Sequence, residues 1–171
     1  MNAHARLQDL LTAHAERSAP FPPLDGDGHS ALLLDRESVI HLYADPEDPE
    51  AASFVLYMPL LSLRGTDDAA QTRMLWRVAE ANAAGALPPA YALFGDADAL
   101  AIYLGGQFSS ERLEIGALET LTDEFFRLGQ VLRDRLVRAL EEEVAPASSP
   151  APMPAPEEFP ARLLGAGMLR A

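Results

Sequence analysis

The chain has 171 residues and a mass of 18.4 kDa, enough for one folded domain of ordinary size with some surplus. Thirteen basic residues, every one an arginine, face 26 acidic ones for a formal charge of -13, and such a field opposes the counterion release that drives nucleic-acid binding and disfavours anionic membranes. No cysteine is present, which excludes disulfides, thiolate metal sites and thiol nucleophiles; with no apolar run of about 18 residues and no signal-peptide core, a cytoplasmic protein is expected.

Residues 3–17 set Ala3, Leu7, Leu10, Leu11 and His14 at helical spacing and predict an amphipathic first helix, stopped by Pro20, Pro22 and Pro23. Asp25-Gly26-Asp27-Gly28 predicts a turn. It opens like a calcium loop, but Arg36 stands where the bidentate glutamate would have to be. Apolar runs at 31–34 and 38–43 flank Asp35-Arg36-Glu37 as the arms of a hairpin, and residues 53–58 predict a third strand closed by Pro59, so that three antiparallel strands form a meander.

Between Ala69 and Ala84 a second helix is expected, with Gln71, Met74, Leu75, Val78 and Asn82 as its core stripe and Gly85 as its C-terminal cap. Thr72, Trp76, Ala79 and Ala83 recur about 150° round from that stripe, so the helix has two apolar or small faces and one of them needs a partner. Residues 91–94 and 100–104 predict a second hairpin about Gly95-Asp96-Ala97-Asp98, ended by Gly105-Gly106. Ile115, Leu118, Leu121, Phe125, Leu128, Leu132, Leu136 and Leu140 hold one face for about seven turns of a long helix. Glu141-Glu142-Glu143 reads as its solvated end. The folded domain is therefore placed at 1–143, and 144–171 as a Pro/Ala-rich linker carrying a short apolar segment, Phe159, Leu163, Leu164, Met168 and Leu169. That segment is expected either to dock on the domain's own apolar groove or to stay a disordered tail.

No catalytic motif lies on these elements: there is no G-x-S-x-G, P-loop, H-E-x-x-H or dinucleotide fingerprint. His4, His14, His29 and His41 are spread over a helix, a turn and a strand without metal-ligand spacing, and are expected to be ordinary histidines. The reading is of a protein with no catalytic residue, no metal and no cofactor, and not an enzyme. An enzyme would instead need acidic residues and histidines converging in one cleft. Trp76, the only tryptophan, lies off the core stripe among alanines and is assigned with Thr72, Ala79 and Ala83 to a homodimer interface.

The order helix, three strands, helix, two strands, long helix resembles the class I family of type III secretion chaperones, the Tir-chaperone or CesT-like proteins. The likeness runs from about Leu7 to Leu140. It rests on Leu7-Gln8-Asp9-Leu10-Leu11, the hairpin through Leu32 and Val39, Tyr57-Met58-Pro59-Leu60, the helix from Met74 to Asn82, Leu100-Ala101-Ile102-Tyr103-Leu104, and the long helix with Leu118, Leu121 and Phe125.

The resemblance implies an α+β single domain of order α-β-β-β-α-β-β-α with an antiparallel sheet, forming a homodimer to which the strand with Leu100 and Ile102 contributes. Its partner would be the N-terminal region of a secreted effector, held in extended form and kept soluble and competent for export, partly by adding strands to a sheet edge. The secretion apparatus is a further expected partner; nucleic acid and membrane are not. Leu7, Leu11, Leu34, Ile40, Leu42, Phe54 and Leu56, on the first helix and first three strands, are the expected effector-binding residues. The alternative is a non-enzymatic dimeric adaptor or regulatory protein with no secreted client.

Overall fold

The computed structural model describes residues 1–15, 20–34, 36, 38–48 and 51–144. Eight elements follow in the expected order: α1 (Ala3–His14), β1 (His29–Leu33), β2 (Val39–Tyr43), β3 (Ser53–Ser62), α2 (Asp68–Ala83), β4 (Tyr91–Asp96), β5 (Ala101–Ser109) and α3 (Ile115–Val144). All neighbours in the five-stranded sheet are antiparallel, and its order is β1-β2-β3-β5-β4. The class is α+β. The first three strands form the expected meander; the second hairpin then joins through its later strand, leaving β4 on the far edge.

Capping explains the helix starts. Asn2 Oδ1 accepts from the N–H of Ala5 at 2.9 Å and Asp67 Oδ1 from that of Ala70 at 2.7 Å, each satisfying an N–H that the helix itself leaves unpaired. Gly85, at φ +64, takes the left-handed conformation that ends α2, as the sequence predicts. The Asp25 turn also forms: its Oδ1 accepts from the N–H groups of Asp27 and His29.

Alternation along the strands puts Ile40, Leu42, Phe54, Leu56, Met58, Ile102 and Leu104 on one face, against Ala3, Leu7 and Leu11 of α1 and Leu118, Phe125, Leu132 and Leu136 of α3. Each large side chain so buried contributes roughly 1.5–3 kcal/mol before ordering costs. α3 crosses β3 at Gly129, where a Cβ would lie 2.7 Å from Met58 Sδ; the missing side chain lets helix and sheet approach closely.

Several elements differ from expectation. β3 does not stop at Pro59 but runs to Ser62. Its pairing with β2 has ended by then, the last partners being His41 and Tyr57, so the missing N–H costs no ladder bond on that side, and an irregularity between Pro59 and Leu61 absorbs the ring. β5 likewise runs through Gly105-Gly106 to Ser109. Gly105 lies under the Phe94 ring, with a would-be Cβ 2.7 Å from Cε1, and Gly106 lies under Phe108, so these glycines make room for rings instead of ending the strand. α1 ends at His14. Glu143 is not merely solvated: it pairs with Arg73 and, at 2.7 Å, with Arg77, tying the end of α3 to α2. The linker and apolar segment expected beyond Val144 lie outside the described residues.

Candidate partner-binding surfaces

Only one face of the sheet is covered by helices among the described residues, so surface for a partner can be sought on the α2 side, on the two edges and on the open face.

On α2, the buried residues are Ala70, Met74 and Val78. Leu75, assigned by sequence to the core stripe, is instead 42% exposed and joins Trp76, 67% exposed, because the helix meets the core along a narrow strip only. Thr72, Leu75, Trp76 and Ala79 line an apolar depression of about 360 Å³, and Ala83 continues the exposed face. The patch reaches the β4 edge, where Leu75 Cδ2 sits where a Cβ of Gly95 would be; Phe94, 42% exposed, lies on the other, open face of the sheet, stacked on Tyr103 with ring centroids 5.3 Å apart. Leu100 is half-buried, whereas Ile102 is fully buried. Ile102 pairs with Gly95 and Leu61 and points to the helix-covered face, which removes it from any interface surface and assigns it to the core.

The two sheet edges differ. In β4 the ladder alternates, and Leu93 directs its N–H and C=O away from β5. Asn82 meets both: its Nδ2 donates to the Leu93 carbonyl at 2.7 Å and its Oδ1 accepts from the Leu93 N–H at 3.0 Å. One side chain thus blunts that edge. On β1 the bonds Leu34 N–H to Ser38 C=O and Ala44 N–H to Gly28 C=O fix the alternation, so Ser30 and Leu32 face β2 while His29, Ala31 and Leu33 face outward. His29 is met by Asp25, whose N–H donates to the His29 carbonyl and whose carboxylate accepts from the His29 N–H. Ala31 and Leu33 keep outward-directed backbone groups, and Leu33 is 71% exposed. β1 therefore offers a short strand edge with apolar side chains, and β4 does not.

The open face carries rows fixed by register, among them Ala31, His41, Tyr57, Gly105 and Ala92. His29 Nε2 lies 2.9 Å from His41 Nδ1, and the His41 ring stacks on Tyr57 at 4.6 Å. Burial and the neighbouring His29 hold the His41 pKa below the usual histidine range, and burial raises Tyr57. Sequence spacing alone did not pair these histidines; the hairpin register was the missing signal. Among the described residues no three His, Cys, Asp or Glu side chains converge as a metal site, and no helix is long and apolar enough to cross a membrane.

Of the seven residues expected to bind an effector, Leu7, Leu11, Ile40, Leu42, Phe54 and Leu56 are fully buried in the chain's own core. They are apolar because they face α1, α3 and the sheet interior, and a partner could reach them only by opening the fold. Leu34 alone of the seven is exposed, at the end of the β1 edge.

No family model matches the chain, and neither does any curated protein. Among solved structures, a chain of the ExsC–ExsE complex aligns with a TM-score of 0.51 at 12% identity, over 87% of this chain and 100% of that one. The two share a fold. The Yersinia pestis type III secretion chaperone SycH, solved with a stable fragment of YscM2, aligns at 18% identity and TM-score 0.49 over 77% of this chain and 99% of that one. A chain of the HopA1–SchA chaperone–effector complex aligns at 14% identity and TM-score 0.47, over 76% and 91%.

Proposed function

We propose that this chain is a type III secretion chaperone, a homodimer that binds the N-terminal segment of a secreted effector in extended form and keeps it soluble until it is passed to the secretion apparatus. The observation that carries the reading is the division of apolar surface into two separate parts: a broad α2–β4 patch around Trp76 beside a blunted edge, and an unblunted β1 edge at Ala31 and Leu33. The first suits a second copy of the chain, since a contiguous apolar patch on an acidic protein is otherwise left in water. The second suits an extended segment that adds a strand through main-chain bonds and seats alternate side chains beside Leu33 and Leu34. The fold shared with a chain of a two-protein complex supports the same reading, as does the sequence resemblance to secretion chaperones.

The chaperone would act in the bacterial cytoplasm before export, without cofactor or catalysis. Co-expression with N-terminal segments of type III effectors tests it: a soluble complex of two copies of this chain with one extended segment is expected. A stable dimer that captures no such segment would favour an adaptor without a secreted client.

A further inference from the structure

We propose that His29 and His41 form an acid-sensitive latch on the edge hairpin: one shared proton holds β1 to β2 on the open face of the sheet, and a second proton loosens them. The latch is a property of the free chain; only its consequence for a bound segment rests on the chaperone reading.

The geometry comes from the hairpin register. Ala31 pairs with His41, so His29 sits diagonally across on the same face, and its Nε2 reaches His41 Nδ1 at 2.9 Å. At that distance one nitrogen must donate and the other accept, so at least one of the two facing nitrogens must lack a proton. The groups around the pair are few. On the β1 side the Asp25 carboxylate lies 3.9 Å from His29 Nδ1 and is anchored by backbone N–H groups of the turn, with Asp27 beside it. On the sheet, Tyr43 pairs with His29, and Tyr57 stacks on His41 with Tyr103 as its own titratable neighbour. Among the described residues no helix covers this face, and the chain has no lysine.

Two neutral rings, with one N–H each, make the bond, and one added proton carried on the outer His29 Nδ1 beside Asp25 keeps it. The second proton has no such place. It must go onto His41 Nδ1 or His29 Nε2, turning donor and acceptor into two donors that face each other. The second charge is opposed by the burial of His41 and by the charge on His29. Folding depresses proton uptake, so full stability holds above the ordinary histidine range, and destabilisation sets in as the pH falls through that range. The strain falls on β1, an edge strand of five residues held to the sheet by β2 alone. This strand carries the open Ala31–Leu33 edge, so acid would weaken the platform on which a client segment is proposed to add.

Nuclear magnetic resonance of the full chain tests the latch, by imidazole titration together with amide exchange at Ser30, Leu32, Ile40 and Leu42 between about pH 7.5 and about pH 5. After correction for intrinsic pH dependence, β1–β2 amides should open about tenfold more often at the acid end, while amides of β3 and β5 hold steady. His41→Phe keeps a ring on Tyr57 but cannot take the second charge, and should abolish the acid step. His29→Gln, at the half-exposed start of β1, should do the same and serves if the first variant does not fold. Independent titration of both histidines at ordinary values with no step overturns the latch, as does a step that survives in a folded variant. Either result leaves effector capture at neutral pH, and so the chaperone reading, untouched.

Discussion

If the chain is the proposed homodimer, replacing Trp76 with alanine should dissociate it while leaving the monomer fold intact. A tryptophan can bury up to about 250 Å², and with 67% of Trp76 exposed in the single chain about 165 Å² remains for a second copy to cover, worth on the order of 4 kcal/mol at 25 cal/mol/Å². Interface reorganisation takes back part of this, and truncations at interface centres cost about 2–4 kcal/mol. A two-fold dimer carries the change twice. Even at the low end the loss is about 4 kcal/mol per dimer, a rise of about a thousandfold in Kd. Sedimentation across a dilution series reads that shift, and the far-UV spectrum should be unchanged because the side chain lies outside the buried core. Trp76→Phe should weaken the dimer less than Trp76→Glu, since an unpaired carboxylate is costly to bury. A Kd within about threefold of the wild type in Trp76→Ala would refute the assignment of this face.

Asn82→Ala should lower stability by about 1–3 kcal/mol, because it strips the Leu93 N–H and C=O of their partners; it should also promote self-association through the unblunted β4 edge, visible by thermal melts and light scattering. Gly129→Val should cost about 1–3 kcal/mol by driving α3 off Met58, read as a lower denaturation midpoint. Glu143→Gln should flatten the acid limb of the stability profile. The hydrogen bonds from Arg77 and Arg73 hold the Glu143 pKa below the ordinary carboxylate range. Its contribution is thus present above that range and lost as pH falls through the folded value, so wild type and variant should converge in strong acid.

Most of the fold was legible because helical and strand periodicities differ and turn residues mark the boundaries: Asp25-Gly26-Asp27-Gly28 and Gly85 do what local chemistry dictates. Boundaries failed where tertiary context overrode a local rule. Pro59 and Gly105-Gly106 read as stops, but a strand that has lost one neighbour tolerates proline, and a strand beneath stacked rings requires glycine. The candidate site was harder. Both faces of β3 are apolar, Phe54, Leu56 and Met58 on one and Val55, Tyr57 and Pro59 on the other, so alternation alone could not say which face the helices cover. That ambiguity assigned core leucines to a partner. Trp76 was legible as a surface residue because it departs from a clear stripe, whereas Leu75 was not, since its exposure depends on how α2 is rolled against β4. Asn82 was legible as part of the helix pattern but not as an edge cap, which needs β4 beside it.

Amide exchange on a complex with an effector's N-terminal segment reads whether that segment adds to the β1 edge of the proposed dimer. New protection is expected at Ala31 and Leu33, whose backbone groups point outward in the free chain, with Leu93 unchanged because Asn82 already occupies it. A tight complex that leaves Ala31 and Leu33 as exchangeable as in the free protein would contradict that addition.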